Sequence, residues 1–251
     1  MAIVTSISSQ KGGTGKTTTA LALASGLAYK GRRVLLIDAD SQANASKVLL
    51  PNYQHISKED TLYCTILDRE PLATHHTVQP RLDITPAHIL LSDTDMALTT
   101  ARDHREARLK HALDAVAGDY DHILIDCPPA LGWLTLNAFT AASEVLVIVS
   151  PGYFELDSIV QISKTITETR AVFNPDLHLR GLLFTMSDGT VNSANSLAIL
   201  RKMYGALLLP VMIPRNTDIR DAHFNKQDIY TYAPQSKGAL AYARLVEVLY
   251  P

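Results

Sequence analysis

Ser9-Gln10-Lys11-Gly12-Gly13-Thr14-Gly15-Lys16-Thr17-Thr18 decides the reading of this chain. Ile3-Val4-Thr5-Ser6-Ile7, just before it, is a β-branched apolar run that predicts a strand. After it, from Thr18 to Lys30, Leu21, Leu23, Ala24, Leu27 and Ala28 supply the apolar stripe of a helix, which Gly31 stops. A glycine-rich loop between a strand and a helix is a phosphate cradle. Its backbone N–H groups point inward at the anion, and the positive end of the helix dipole faces the same place. In that setting Lys16 reaches the β- and γ-phosphates, and the Thr17 hydroxyl holds Mg²⁺.

Working outward, Arg33-Val34-Leu35-Leu36-Ile37-Asp38-Ala39-Asp40 is a near-continuous apolar run, as expected of a parallel strand buried on both faces. Alternation along that strand places Asp38 and Asp40 on one side. Acidic residues there either serve chemistry or cap the next helix. Further on, His122-Ile123-Leu124-Ile125-Asp126 is a strand ending in a carboxylate, where Mg²⁺ would be held through water. Pro128-Pro129 then enforce a fixed extended turn suited to a γ-phosphate switch.

Strands and helices alternate along the rest. Strands are expected at Val145 to Val149 and Leu182 to Met186, helices at Glu155 to Phe173, Asn195 to Tyr204 and Leu240 to Leu249, and a short helix and loop at Asp218 to Lys226. This alternation predicts an α/β fold with a mostly parallel, twisted sheet flanked by helices on both faces and right-handed crossovers. Ligands then sit at the carboxyl ends of the strands, where Thr17, Asp40 and Asp126 all fall. The middle of the chain is less regular. Thr61 to Leu67, Leu90 to Leu98 and Glu106 to Val116 read as helices and Leu82 to Thr85 as a strand. His75-His76 reads as a pair of solvent-exposed loop histidines with no third metal ligand nearby. Arg102, His104, Arg105, Arg108, Lys110 and His111 form a basic cluster, read as a solvated helix face with a nucleic-acid or partner contact as the alternative.

Composition sets bounds. The chain has 251 residues, 47% of them hydrophobic, enough for one large domain with an ample core or at most two small ones. A net charge of −2 excludes a wholly basic nucleic-acid-coating protein but leaves room for a local basic face. Cys64 and Cys127 lack metal-ligand spacing and read as reduced thiols of a cytoplasmic protein. No run approaches the roughly 20 apolar residues that span a bilayer. The first strand begins at once, so neither a signal peptide nor a DNA-binding extension is expected before the loop.

The usual P-loop asks for glycine six residues before its lysine, and here that position is Gln10. A second lysine, Lys11, and then Gly12-Gly13 follow. This box resembles the deviant Walker A motif of the ParA/MinD family of ATPases. The resemblance extends to Asp38-Ala39-Asp40-Ser41-Gln42-Ala43-Asn44, with Ser41 in place of the family's proline and Ala43 in place of its glycine. From Asp119 to Pro129, and on through Leu134 to Ala138, the chain is similar to chromosomal ParA (Soj) proteins almost residue for residue. It implies one ParA/MinD-type P-loop ATPase domain over residues 1–251, slow without a partner. It implies ATP and Mg²⁺ as cofactors, bound by Lys11, Gly12, Gly13, Thr14, Gly15, Lys16, Thr17 and Thr18. Lys11 crosses to the nucleotide of the other subunit in an ATP-sandwiched homodimer, and Lys16 acts with it. Asp40 sits next to the attacking water, Asp38 belongs to the nucleotide-sensing switch, and Thr17 and Asp126 serve the metal. Pro214, Arg215 and Asn216 border the adenine, and Cys127 is a packed structural residue.

The function implied is ATP-dependent binding of non-specific DNA that partitions or positions a plasmid, chromosome origin or other cargo. A ParB-type partner stimulates hydrolysis, and the protein is cytoplasmic and nucleoid-associated. The alternative is a MinD-like switch acting on a membrane or protein scaffold. A membrane is not expected, because Arg244 to Pro251 lacks the basic face of a MinD terminus. An iron–sulfur relative is disfavoured by the placing of the two cysteines. Two departures bear on DNA: Thr190 and Asp218 stand where related proteins commonly carry arginine, with Arg201, Lys202, Arg220, Lys226 and Lys237 as candidate compensators. Ser150 to Leu156 also departs from the usual Soj form and is read as a partner-facing segment.

Overall fold

The computed structural model describes residues 2–152 and 155–251. In chain order its strands and α-helices begin with β1 (Ile3–Ser8), α1 (Lys16–Tyr29), β2 (Val34–Asp38), α2 (Asn44–Leu49), α3 (Leu62–Leu67), β3 (His75–His76) and β4 (Leu82–Thr85). Then follow α4 (Thr94–Thr100), α5 (Arg108–Asp114), β5 (His122–Asp126), α6 (Trp133–Ala141), β6 (Glu144–Val149) and α7 (Glu155–Val172). The last are β7 (His178–Ser187), α8 (Val191–Tyr204), β8 (Leu208–Pro214), α9 (Thr217–Phe224), α10 (Ile229–Tyr232) and α11 (Lys237–Leu249).

The eight strands form one sheet in the order β3-β4-β2-β5-β1-β6-β7-β8. Every pairing is parallel except the short antiparallel β3–β4 edge. Strand alternation builds two cores. Val34 and Leu36 face one side with α1 and α11, while Leu35 and Ile37 face the other with α5, α6 and α7. The interiors of β2, β5 and β6 are therefore apolar on both faces, while β1 between them also buries Thr5, Ser6 and Ser8. Ile7 and Asp38 both register against Asp126, so the carboxyl ends of β1, β2 and β5 lie side by side.

Several expectations are corrected. Helix α1 is not apolar along one stripe: residues Ala20, Leu21, Ala22, Leu23 and Ala24 are each at most 3% exposed. It is wrapped by α2, α10 and α11 as well as by the sheet. The approach is close enough that a Cβ on Gly26 would lie 2.8 Å from a Val246 methyl. Ile89–Asp93 is a 3₁₀ segment, and α4 begins only at Thr94. Helix α5 is shorter than its sequence pattern, leaving Glu106 and Val116 outside it. His75 and His76 are not loop residues but form β3, with His76 Nδ1 2.7 Å from Asp83 Oδ1. Of the basic cluster, Arg105 and Arg108 are not a solvated face. Arg105 donates to the carbonyls of Leu98, Thr99 and Ala101 at the end of α4, and Arg108 to those of Ile66 and Leu67 at the end of α3. They act as cations at helix C-termini. Arg102, His104, Lys110 and His111 are exposed. Of the segment Ser150 to Leu156, Tyr153 and Phe154 lie outside the described residues. Both cysteines are buried and free, and burial pushes their thiols up, to about 11 for Cys64 and about 12 for Cys127.

Candidate nucleotide site

The loop after β1 turns on two glycines in the left-handed region, Gly13 at φ 76° and Gly15 at φ 93°. Conformations of this kind suit glycine and set successive N–H groups on one concave side. Gly15 is the N-cap of α1, and no side chain caps that helix start. The first N–H groups of the helix are thus open to an incoming anion. Gly12, Gly13, Gly15, Lys16, Thr17 and Thr18 line one wall of a trough of roughly 700 Å³, and Asp40 lies in its rim. Lys16 is only 6% exposed, its stem packed and its charge held in the trough. Lys47, Arg220 and Lys226 add three more cations to the lining against the single carboxylate of Asp40. In a chain of net charge −2, this is a local concentration of positive charge suited to a polyphosphate.

Behind the trough stand two buried carboxylates. Asp38 and Asp126 are cross-strand neighbours and both are 0% exposed. Asp38 is satisfied by protein: its Oδ2 accepts from Ser46 N at 2.8 Å and Ser46 Oγ at 2.7 Å, and its Oδ1 from Asp40 N at 3.3 Å. Burial still raises its pKa to about 6. Asp126 is not satisfied. Neither of its oxygens has a donor at hydrogen-bonding geometry, although the Thr17 hydroxyl and the Lys16 charge are near enough to favour its ionised form. Burial, and then the charge of Asp38, push its pKa well up. A buried carboxylate without a partner beside a threonine hydroxyl is a hard-oxygen donor set, and Mg²⁺ fits it.

At the other end the trough runs into a second cavity of roughly 430 Å³, sharing Gly15, Thr18, Met186, Arg220 and His223 with the first. Thr185, Ile213, Pro214, Arg215, Asn216, Thr217, Ile219 and Tyr242 complete it. Asn216 caps α9 through Oδ1, which accepts from Ile219 N at 3.3 Å, and its amide NH₂ remains a donor. Burial lowers the pKa of His223, keeping the imidazole neutral at the junction.

The structure thus gathers Gly12, Gly13, Gly15, Lys16, Thr17, Thr18 and Asp40 in one trough, with Pro214, Arg215 and Asn216 in its continuation. It does not bring Asp38 to the surface of that trough. Strand β2 ends at Asp38, so alternation does not carry through to Asp40, and the two carboxylates part, one inside and one at the rim. Thr14 is 1% exposed and takes part through its backbone, and Lys11 is exposed outside the trough lining. Thr190 and Asp218 have local duties. Thr190 caps α8, accepting from Ser193 N at 3.2 Å, and Asp218 lies in the first turn of α9, where the helix dipole favours a carboxylate. Sequence reasoning missed Met186, His223 and Lys47 at the trough. Met186 alone carried a signal, a non-glycine at φ 53°, and that is visible only in the backbone.

A family model described as an AAA domain matches residues 2–179. The sporulation initiation inhibitor protein Soj of Bacillus subtilis (strain 168) is 36% identical over 250 residues, 98% of each chain. The chain belongs to the ParA/Soj family. Chromosome partitioning protein ParA of Myxococcus xanthus (strain DK1622) is 38% identical over 242 residues, 95% of this ParA-type chain and 84% of that protein. Among solved structures, cobyrinic acid a,c-diamide synthase from Mycobacterium smegmatis, with bound ATP analogue and magnesium, superposes with a TM-score of 0.83. It is 32% identical, and the match covers 99% of this chain and 94% of that one. The α/β P-loop NTPase architecture of this ParA/Soj member is shared with that nucleotide-bound structure.

Proposed function

We propose that this chain is a ParA-type positioning ATPase. Its cofactors are ATP and Mg²⁺. ATP binding joins two copies into a dimer that holds non-specific DNA, and hydrolysis, stimulated by a ParB-type adaptor, releases it. The single domain of residues 1–251 acts in the cytoplasm on the nucleoid, and the cargo is a plasmid, a chromosome origin or another large body. The observation that carries this reading is the trough itself, with an uncapped helix start and Lys16 on one side, Asp40 at the rim and the unsatisfied Asp126 behind Thr17.

The chain's own residues divide the work. Backbone N–H groups of Gly13 to Thr17 and the Lys16 ammonium hold the phosphates and meet the negative charge that develops on them. Asp40, half-buried at the rim, orients the attacking water and accepts its proton. Thr17 and Asp126 would hold Mg²⁺, which neutralises phosphate charge when bound. Asp38 fixes the start of the switch by taking the N–H groups of Asp40 and Ser46. Asn216 and Pro214 frame the base, and Lys11 from one copy serves the nucleotide of the other.

Two readings from elsewhere are less well supported. A lipid-binding terminus needs an open apolar helix face. On α11 Tyr242, Leu245, Val246 and Leu249 are buried, leaving Leu240 as an isolated large apolar side chain exposed on this helix, and Arg244 pairs with Glu247 at 3.0 Å. Amide synthesis drawing nitrogen from glutamine needs a reactive thiolate, and both cysteines are buried with raised thiol pKa values.

The test is a gel shift of the Asp40→Ala protein on arbitrary duplex DNA with ATP and with ADP. Retardation with ATP alone is expected, weakened on the order of 10³-fold between about 50 and about 200 mM salt. Absence of a shift, with ATP dimers confirmed in solution, would remove DNA from the proposal.

A further inference from the structure

We propose that Thr185, on β7, is a positioning residue for nucleotide: its hydroxyl fixes the peptide between Thr14 and Gly15 so that the Gly15 N–H faces the phosphates. The inference rests on the nucleotide-binding reading of the loop.

Thr14 is the lone side chain between two left-handed glycines, Gly13 and Gly15. Glycine populates positive and negative φ about equally, so the local backbone does little to hold one orientation of the peptides around Thr14. Something outside the loop must choose. The Thr14 side chain is turned back on the loop, its Oγ1 3.4 Å from the Lys11 carbonyl. The Thr14 carbonyl is taken by Thr185, whose Oγ1 donates to it at 2.7 Å. That contact joins residues 171 positions apart and is buried, with Thr14 and Thr185 each 1% exposed. The Val149 carbonyl at the end of β6 lies 3.3 Å from the same hydroxyl. A threonine hydroxyl has one proton to give, so the shorter contact holds it.

The described residues contain no cis peptide bond. In a trans peptide the C=O and the following N–H point in opposite directions. With the Thr14 carbonyl held inward by β7, the Gly15 N–H is set outward, and Gly15 lines both cavities of the trough. Removing the hydroxyl leaves a buried carbonyl without a donor. The least costly relief is rotation of the 14–15 peptide, which Gly15 on its far side permits. That rotation withdraws an N–H from the phosphate and presents a carbonyl in its place.

The experiment compares wild type, Thr185→Val and Thr185→Ser by titration with fluorescent ADP in Mg²⁺ and, in parallel, with adenosine. Wild-type ADP binding checks the nucleotide reading by itself, and its absence would sink that reading and the role of Thr185 with it, whereas failure of the role alone shows only in the variants. Given that binding, the isosteric valine variant is expected to lose about tenfold to a hundredfold in ADP affinity while adenosine binding is unchanged, and serine is expected to restore the wild-type value. A purely structural role would move ADP and adenosine together. Should the valine variant fail to fold, Thr185→Ala, which also trims the wall of the second cavity, is expected to lose more affinity for ADP than for adenosine. Equal ADP affinity in a folded valine or alanine variant, equal loss of both ligands, or loss in the serine variant would overturn the proposal.

Discussion

Asp38 shows how one residue sets a balance between stability and readiness. It is fully buried, and its carboxyl ionises near 6 where an unfolded chain would ionise near 3.8. Between those values the folded state keeps a proton that the unfolded state has released, so this group's contribution to stability falls as pH rises from about 4 to about 6 and is level above. The difference corresponds to about 3 kcal/mol. Asparagine at this position retains an acceptor for Ser46 and has no proton to lose. Without nucleotide and Mg²⁺, the stability of Asp38→Asn relative to wild type should therefore rise between pH 4.5 and 7.5. Urea unfolding at both pH values measures this, and a pH-independent difference would show that folding does not raise the pKa of Asp38. The cost is tolerated because Asp38 anchors the backbone of Asp40 and Ser46 from behind the trough.

At the scale of elements, the loop after β5 is anchored at its far end by a distant residue. Helix α6 starts at Trp133 with Gly132 as its N-cap, and glycine supplies no capping side chain. Asp95 of α4 supplies the cap instead, its Oδ1 accepting from Trp133 N at 2.7 Å. The indole Nε1 donates to Thr99 Oγ1 at 3.2 Å, and the Arg105 guanidinium stacks 4.1 Å from the ring centroid. Asp95→Ala should cost about 1 kcal/mol of stability, and it should alter the emission of Trp133, the chain's single tryptophan. Pro129 of this loop lines the trough, so ATP should also change that emission in wild type. Chemical denaturation followed by tryptophan fluorescence reads both, and an Asp95→Ala protein with wild-type midpoint and spectrum would refute the cap. Here the sequence was legible only in part. Strands β1, β2 and β5 announce themselves, because burial on both faces demands unbroken apolar runs such as Val34 to Ile37. The contacts that finish α3 and start α6 do not, because Arg108 and Asp95 make them across 42 and 38 positions of chain. No local pattern encodes such contacts.

At the scale of the whole molecule, the phosphate end of the trough comes from one contiguous stretch and was readable directly. The rest of it was not, because Lys47, Met186 and Lys226 reach it from three separate segments that only the sheet order brings together. The same geometry bears on Lys11. It lies in the loop yet is exposed outside the lining of its own trough, while Lys16 is packed within it. A cation placed in this way contributes less to its own nucleotide than Lys16 does, and the proposed dimer gives it a nucleotide on the facing copy to serve. The two lysines should therefore separate in effect. Lys16→Ala should abolish ADP binding, because the ammonium and its packed stem belong to the wall of the site. Lys11→Ala should keep ADP affinity and lose both the ATP-dependent dimer and turnover. Light scattering with ATP, alongside phosphate release, decides this. If Lys11→Ala dimerises and hydrolyses ATP as wild type does, Lys11 has no part in the mechanism.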